Sequence, residues 1–226
     1  MTTQKSVNLP GEKVYGANAL IIYGGGGHGR SLIDLVRALP DYRLAGIVDD
    51  SLPPGSEVLG APVLGGNSVL EELAARGLHL ALNAVGGIGN LTPRLEVFER
   101  LKAAGFNFPT VIHPTAVVEP SARLADGVQV FALAYVGSNA RVGFGCILNT
   151  GVIISHDCVL EDVINISPGG ILAGGVYVGA HTQIGMGATI NLDLKIGARV
   201  RIGNGATIKA DMPDGTVVRA GGIWPR

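Results

Sequence analysis

The stretch VGSNARVGFGCILNTGVIISHDCVLEDVINISPGGILAGGVYVG, residues 136–179, decides the fold of the second half of the chain. Every sixth residue in it is aliphatic: Val136, Val142, Leu148, Ile154, Leu160, Ile166, Leu172 and Val178. An amphipathic helix would repeat its apolar residues about every 3.6 positions, and a half-buried strand roughly every 2. A period of six fits neither. It favours short strands joined by tight turns, with one aliphatic side chain per strand pointing inward.

The series runs from Ile112 to Ile208 in steps of six, and all its members are Ile, Leu or Val. The fifth position of each hexad is mostly small or apolar, and Cys146 and Cys158 both occupy it, so we interpret them as core residues. This pattern resembles the hexapeptide repeat of left-handed parallel β-helices and covers residues 112–213. In that fold three hexads make one coil, so residues 18 apart stack about 4.8 Å from each other.

The first half opens with residues 19–39, ALIIYGGGGHGRSLIDLVRAL, which predict a buried strand, a glycine-rich turn and an amphipathic helix. Gly24, Gly26 and Gly29 have the spacing G-x-G-x-x-G. Glycine in such a turn lets the backbone approach a phosphate at a helix N-terminus. His28 lies inside the turn, where donation to a phosphate and a purely structural role are both open.

A second strand, RLAGIVDD, ends in Asp49 and Asp50. Asp49 stands about 20 residues beyond Gly29, a separation at which an acidic residue can contact a ribose or a base. The spacing alone leaves two ligands open, namely NAD and a nucleotide-linked substrate. The β-helix expected in the second half argues against a dehydrogenase, because such a fold supplies no familiar site for hydride transfer.

Strands and helices alternate through the rest of the first half. We predict helices near residues 68–76 and 93–104, and strands near residues 78–85 and 108–112. Such alternation predicts a small parallel sheet covered by helices, which is a Rossmann-like α/β domain. The expected organisation is an N-terminal extension over residues 1–17, the α/β domain over residues 18–110 and the β-helix over residues 111–226.

Composition argues against several functional classes. The chain has 17 Lys and Arg against 18 Asp and Glu, which argues against a broad nucleic-acid-binding face. Two cysteines make neither a disulfide framework nor a metal cluster. No apolar run reaches the roughly 18 residues of a membrane span, and the N-terminus lacks the apolar core of a secretory signal. We therefore expect a cytoplasmic protein without metal, nucleic-acid or membrane partners.

A nucleotide-cradling turn followed by a hexapeptide β-helix resembles the bacterial nucleotide-sugar acetyltransferases and the related sialic acid O-acetyltransferases. The segments YGGGGHGR, GIVDD, NTGVIISHDCVLED and ISPGGILAGGVYVG carry this resemblance, which extends over residues 18–226. It implies that the first domain binds a nucleotide sugar and that the β-helix binds acetyl-CoA. It also implies a homotrimer with sites between subunits.

Members that act on 4-amino-4,6-dideoxy sugars are the best match. The implied reaction is N-acetylation of such a nucleotide-linked sugar in O-antigen or glycan biosynthesis, with GDP-perosamine as the favoured acceptor.

The resemblance also implies roles for single residues. His156 matches the family's general base, Asp157 its acidic neighbour, and Gly174 the glycine whose N–H binds the oxyanion. The repeat supports this independently, since His156 and Gly174 are both third residues of their hexads and stand one coil apart. The family often reads HISPG where this chain reads NISPG. Asn165 therefore replaces a second histidine, which leaves His156 as the single base candidate.

Two groups of binding residues are expected in addition. The acceptor would contact Gly24, Gly26, Gly27, His28, Gly29, Asp49, Asp50, Gly86 and Asn149. Acetyl-CoA would contact Asn165, Gly174, Gly175, Met186, Ala188 and Lys209, with Arg219 as a second candidate for its phosphates.

Three other functions stay open at this point. A UDP-linked amino sugar would suit the same glycine-rich turn. An O-acetyltransferase for a sialic-acid-type sugar would use the same fold and the same base. A trimeric scaffold that senses NAD or a nucleotide would need no catalysis at all.

Overall fold

A computed structural model describes residues 15–86 and 89–225. The chain divides into two compact units, of which the first ends at Phe108 and the second begins at Pro109. Most of the expected N-terminal extension, up to residue 14, lies outside the described residues.

The first unit is a five-stranded sheet with helices. Its strands are β1 Ala19–Tyr23, β2 Arg43–Val48, β3 Glu57–Val58, β4 Ala61–Gly65 and β5 Leu80–Asn83, in the order β3-β4-β2-β1-β5. Its helices are α1 Gly27–Arg37, α2 Leu70–Ala75 and α3 Thr92–Ala103, with a 3-10 turn at Asn67–Val69. The pairs of β1 with β2 and β5, and of β2 with β4, are parallel, whereas β3 pairs antiparallel with β4.

Strand β1 is an inner strand of this sheet, between β2 and β5, and all five of its residues are buried. The parallel pairing brings the carboxyl ends of β1, β2 and β5 to one edge. Gly24 N–H donates to Val48 O at 2.8 Å, and Ala84 N–H donates to Tyr23 O at 2.8 Å. The turns after the three strands are therefore neighbours, which is where ligands bind in open α/β sheets.

Two details of the first half differ from the sequence prediction. The strand predicted at residues 108–112 is reduced to Val111–Ile112, which belongs to the second unit and pairs with residues 129–130 within it. Its Ile112 is the first member of the six-residue series, so pairing with the next coil prevails over addition to the sheet. Strands β3 and β4 were not predicted, because glycine and proline interrupt their short apolar runs and leave little periodicity.

The second unit is a parallel β-helix of two-residue strands arranged in three sheets, which we call faces 1, 2 and 3. Face 1 contains β6 Val111–Ile112, β9 Gln129–Val130, β12 Ile147–Leu148, β15 Asn165–Ile166, β18 Gln183–Ile184, β21 Arg201–Ile202 and β23 Val217–Val218. Face 2 contains β7 Val117–Val118, β10 Tyr135–Val136, β13 Ile153–Ile154, β16 Ile171–Leu172, β19 Thr189–Ile190, β22 Thr207–Ile208 and β24 Ile223–Trp224. Face 3 contains β8 Arg123–Leu124, β11 Arg141–Val142, β14 Val159–Leu160, β17 Tyr177–Val178 and β20 Lys195–Ile196.

The predicted register, in which three hexads make one coil, is confirmed. Ile154 pairs with Leu172, and Leu160 pairs with Val178. The last coil is shorter, since Arg201 pairs with Val217 and not with Arg219, which stands three full hexads beyond it. The aliphatic residue that opens each hexad points into the interior, and from Val130 to Ile208 every member of the series is buried.

Glycines in the second place of a hexad have a packing reason that the sequence did not reveal. A Cβ at Gly179 would lie 2.5 Å from the nitrogen of Ala198 in the next coil, and a Cβ at Gly203 would lie 2.4 Å from the nitrogen of Ala220. Real side chains do not tolerate such contacts. The close spacing of coils therefore selects glycine at these corners.

Candidate active site

His156 and Asp157 lie in the turn between β13 and β14, at the corner between faces 2 and 3. His156 Nδ1 is 2.8 Å from Asp157 Oδ2, and the two side chains are 64% and 58% exposed. A carboxylate can only accept a hydrogen bond, so Nδ1 of the neutral imidazole carries the proton and Nε2 carries the lone pair. The pair is thus an accessible base whose orientation is set by its neighbour.

Asp157 has a second partner that the sequence analysis missed. Asn139 Nδ2 donates to Asp157 Oδ1 at 3.3 Å. The hydrogen bond from His156, and next that from Asn139, hold the pKa of the Asp157 carboxyl below its usual range. Asn139 occupies the same place as Asp157 in the preceding coil, so the coil register would have revealed it.

Gly174 lies one coil above His156, as the repeat predicted. A Cβ at position 174 would lie 2.5 Å from both Cε1 and Nε2 of His156, so the imidazole occupies the space that a side chain would need. The coil ladder uses the Gly175 N–H, which donates to His156 O at 3.0 Å. Among hydrogen bonds of residues 15–86 and 89–225, none uses the N–H of Gly174, a residue that is itself buried.

The predicted residues Asn149 and Met186 lie at another corner, between faces 1 and 2, and Asn165 lies beside them in β15 of face 1. Asn149 Nδ2 donates to Asn165 Oδ1 at 3.1 Å and to Ile166 O at 2.7 Å. Asn165 is buried, whereas Met186 is 52% exposed. Within one chain, therefore, these residues and His156 lie at opposite ends of face 2.

Three other residues expected to contact acetyl-CoA differ in their exposure and in the hydrogen-bonding groups that they have free for a ligand. Gly175 has a φ of +70°, and a Cβ there would lie 2.1 Å from Asp193 Oδ1. Ala188 is buried, its N–H donates to Gly185 O, and its carbonyl accepts from Ile171 N–H. Any hydrogen bond from a ligand to the Ala188 backbone would therefore use the second lone pair of that carbonyl. Lys209 is exposed.

The glycine-rich turn of the first unit has the geometry expected for a close backbone approach. Gly24 has a φ of +110°, which favours glycine, and a Cβ at Gly29 would lie 2.0 Å from Gly24 O. Gly26 caps α1, and neither Gly26 nor Gly27 has an atom within 4 Å of where its Cβ would be. The start of α1 is thus open to a ligand, with the half-buried His28 beside it.

Asp49 is bound to the glycine-rich turn itself. Its Oδ2 accepts from Gly25 N–H at 2.7 Å, and its Oδ1 accepts from Ser51 N–H at 2.8 Å. These bonds fix the shape of the turn. Any contact of Asp49 with a nucleotide would add to this structural task.

Asp50 links three elements at the same edge of the sheet. Its Oδ2 accepts from Tyr23 OH at 2.7 Å and lies 3.6 Å from Arg100 Nη1, while its Oδ1 accepts from Asn67 N–H at 2.6 Å. The Asn67 N–H, and then the Tyr23 hydroxyl and Arg100, lower the pKa of Asp50. Burial, together with the bond to Asp50, raises the pKa of Tyr23 to about 12.

The segment that leads from β5 to Gly86 is held by Arg94, which sequence reasoning did not single out. Arg94 is only 1% exposed, and its Nη1 donates to Asn83 O at 3.1 Å and to Val85 O at 2.8 Å. Gly86 comes directly after this segment and has open space around it. A buried arginine thus orients a loop next to the glycine-rich turn.

Cys146 and Cys158 are fully buried, as predicted. Burial raises the pKa of the Cys158 thiol, which disfavours a nucleophilic thiolate. In residues 15–86 and 89–225, no three His, Cys, Asp or Glu side chains are grouped so that they could hold a metal ion. Over the same ranges, no helix combines the length and hydropathy that crossing a membrane requires.

Comparisons with known proteins point in the same direction as this geometry. Residues 19–101 match the family described as the PglD N-terminal domain. A GDP-perosamine N-acetyltransferase from Escherichia coli O157:H7 is 30% identical over 175 residues, which cover 75% of this chain and 76% of that protein.

Two solved structures share the fold over nearly the whole chain. PerB from Caulobacter crescentus in complex with CoA and GDP-perosamine has a TM-score of 0.83 and 35% identity, covering 89% of this chain and 93% of that one. The acetyltransferase domain of PglB from Neisseria gonorrhoeae in complex with acetyl coenzyme A has a TM-score of 0.82 and 36% identity, covering 91% and 98%. The chain therefore belongs to the bacterial family of nucleotide-sugar acetyltransferases with hexapeptide repeats.

Proposed function

We propose that the protein transfers the acetyl group of acetyl-CoA to the amino group of a nucleotide-linked 4-amino-4,6-dideoxy sugar, with GDP-perosamine as its acceptor. The observation that carries this proposal is the exposed His156–Asp157 pair lying against Gly174. An oriented base beside a backbone N–H suits a reaction that removes a proton while an oxyanion forms.

The first step is attack of the sugar amine on the thioester carbonyl. The neutral amine forms the new C–N bond and must lose a proton as it does so. His156 Nε2 accepts that proton, because Asp157 keeps the other ring nitrogen protonated. The anionic Asp157 then stabilises the imidazolium that results.

The second step is collapse of the tetrahedral intermediate. The negative charge on its oxygen is stabilised by the Gly174 N–H, an effect that can be worth roughly 3 kcal/mol. The C–S bond breaks and the imidazolium returns its proton to the departing CoA thiolate. The products are the N-acetylated nucleotide sugar and free CoA, and no acyl-enzyme is needed.

The acceptor binds through the first unit, which we take to be a Rossmann-like domain. Its diphosphate contacts the open N-terminus of α1 at Gly26 and Gly27, where free N–H groups and the helix dipole favour an anion. His28 is the side chain of this turn that could add a donor. Asp50 and Gly86 border the same edge of the sheet.

The donor binds along the later coils of the β-helix, whose turns we take to follow the left-handed sense of hexapeptide repeats. The thioester arm lies beside His156, along the coil that contains Gly174 and Gly175. Lys209, or alternatively Arg219, lies exposed on coils further along and provides positive charge for the phosphates of CoA.

Face 2 supports a homotrimer with sites between subunits. Its outward row contains Val117, Ile153, Ile171 and Ile223, which are 54%, 37%, 39% and 52% exposed. Burying this row around a three-fold axis would bring the His156 corner of one subunit next to the Asn149 corner of the next. Residues that one chain places at opposite ends of face 2 would then share one site.

We also propose that the protein works in the cytoplasm, in the synthesis of O-antigens or related glycans.

Release of the CoA thiol with a panel of nucleotide sugars tests the proposed function. We expect turnover with GDP-perosamine and none with the matched sugar that carries a hydroxyl in place of the amine. Preference for a UDP-linked amino sugar would correct the nucleotide, and preference for a hydroxyl acceptor would correct the reaction to O-acetylation. Inertness toward all of them would overturn the proposal.

His156→Asn should lower kcat by roughly 10²–10⁴-fold, because general base catalysis contributes about that much. Asparagine keeps the side chain polar and of similar width, so the protein should unfold at the same temperature. Steady-state kinetics at several pH values, with circular dichroism as the control, measure both. Wild-type turnover in this variant would remove His156 from the mechanism.

A further inference from the structure

A column of three polar side chains ends at the His156–Asp157 pair. Ser121, Asn139 and Asp157 occupy the same place in three successive coils. Asn139 N–H donates to Ser121 Oγ at 3.0 Å, and Asn139 Nδ2 donates to Asp157 Oδ1 at 3.3 Å. Asp157 Oδ2 is bound to His156 Nδ1 at 2.8 Å. Each carboxylate oxygen thus has a partner of its own.

Backbone conformation by itself does not explain an asparagine at position 139. Asn139 has a φ of +58°, a region that asparagine tolerates well. The same turn position is filled at other corners by Leu133, Val163, His181 and Arg199, all with φ between 54° and 64°. Since this turn accepts such different side chains, the amide of Asn139 requires another reason.

We propose that Asn139 is a positioning residue for acetyl transfer. Its side-chain amide holds the Asp157 carboxylate in the one orientation that keeps the proton on His156 Nδ1. This inference rests on the proposed function, because it gives the pair its task. The Asp157 side chain is more than half exposed, so without the amide it can rotate toward water and release the imidazole.

The charged and titratable groups around Asp157 define what the amide must compete with. Arg123 and Arg141 line a groove of about 470 Å³ together with Ser121, Asn139 and Asp157. His156 faces the carboxylate from its own turn, and the buried Cys158, next in the chain, experiences the charge of Asp157. Either arginine could draw a free carboxylate away from His156, whereas the Asn139 bond keeps it in place.

Asn139→Gly and Asn139→Asp test whether the side-chain amide, and not the backbone conformation, is what the site requires at position 139. Asn139→Gly suits the positive φ and removes the amide, so the turn and the melting temperature should be unchanged. We expect kcat to fall about tenfold or more, the range typical of partners that orient a functional ligand, while KM for acetyl-CoA stays constant. Arg199→Gly is the matched control at the corner between faces 3 and 1, and it should leave kcat unaltered.

Asn139→Asp retains the shape but places a second carboxylate beside Asp157. Added negative charge favours the imidazolium, so the acid limb of the kcat/KM profile should move to higher pH. Wild-type kcat in Asn139→Gly, or an unmoved acid limb in Asn139→Asp, would overturn the proposal.

Nitrogen NMR of the His156 ring reports the positioning without any turnover. We expect the Nδ1–H tautomer to dominate in the wild type and to lose population in Asn139→Gly. If the wild type acetylates no nucleotide sugar, this measurement still tests the role of Asn139, so the two proposals fail separately. An unchanged tautomer ratio in the variant would overturn the positioning role.

Discussion

Glycine at position 174 leaves the space that the imidazole of His156 occupies. A Cβ there would lie 2.5 Å from two atoms of the ring. The turn itself does not demand glycine, since Ala180 holds the same third place in the next hexad. The requirement comes from the neighbouring side chain, and this ties the identity of one residue to the position of another.

Gly174→Ala should therefore displace the imidazole and leave the fold intact. His156 is exposed, so its side chain can swing away from the new methyl group at little cost in stability. A displacement of about 1 Å in a catalytic group can lower the rate roughly 100-fold, and we expect a fall in kcat of that order. Steady-state kinetics and thermal unfolding measure the two effects. A large drop in melting temperature, or wild-type kcat, would contradict the explanation.

Between elements, the ends of β1, β2 and α3 are joined through Asp50. The carboxylate accepts hydrogen bonds from Tyr23 OH and from the Asn67 N–H, and it forms an ion pair with Arg100. These partners favour the charged form, so the pKa of Asp50 is lower in the folded state than in the unfolded chain. The stability it contributes is full above the ordinary carboxyl pKa and is lost as the pH falls through the lowered value.

Asp50→Asn should consequently destabilise the protein at pH 7 and make little difference at strongly acidic pH. The expected result is a lower melting temperature for the variant at neutral pH and convergence of the two proteins as the pH falls through the lowered pKa of Asp50. Thermal unfolding by circular dichroism across this range measures it, with the exposed Asp41→Asn as control. A constant difference at all pH values would show that the carboxylate charge is not responsible.

Over the molecule as a whole, the outward row of face 2 carries no charged residue, while that of face 3 carries Arg123, Arg141 and Lys195. The row of face 2 consists of Val117, Tyr135, Ile153, Ile171, Thr189, Thr207 and Ile223. Exposed aliphatic side chains grouped on one uncharged face are typical of a surface covered by a partner. Face 2 is thus the surface that the proposed trimer would bury, with the His156 corner at its edge.

Ile171→Asp should disrupt the trimer, because burying a charge in an apolar interface without a partner is strongly unfavourable. Light scattering after gel filtration should show a monomer, and acetyl transfer should be lost if the site needs two subunits. Lys195→Glu on face 3 is the control and should leave both unchanged. A monomeric wild type would remove the basis of this prediction, and an active monomeric variant would place the whole site within one chain.

The amino-acid sequence alone was enough to predict the β-helix, its register and the match between His156 and Gly174. This was possible because a strict repeat converts spacing along the chain into neighbours in space. It also predicted the glycine-rich turn, since the positive φ of Gly24 and the close approach of Gly29 to Gly24 O both require glycine. The register also places Asn139 one coil before Asp157, whereas the packing reason for glycine at Gly179 and the separation of Asn149 from His156 emerged only from the folded chain. Those depend on which side chains meet across coils and around corners, where contact is set by three-dimensional distance and leaves no periodic signal.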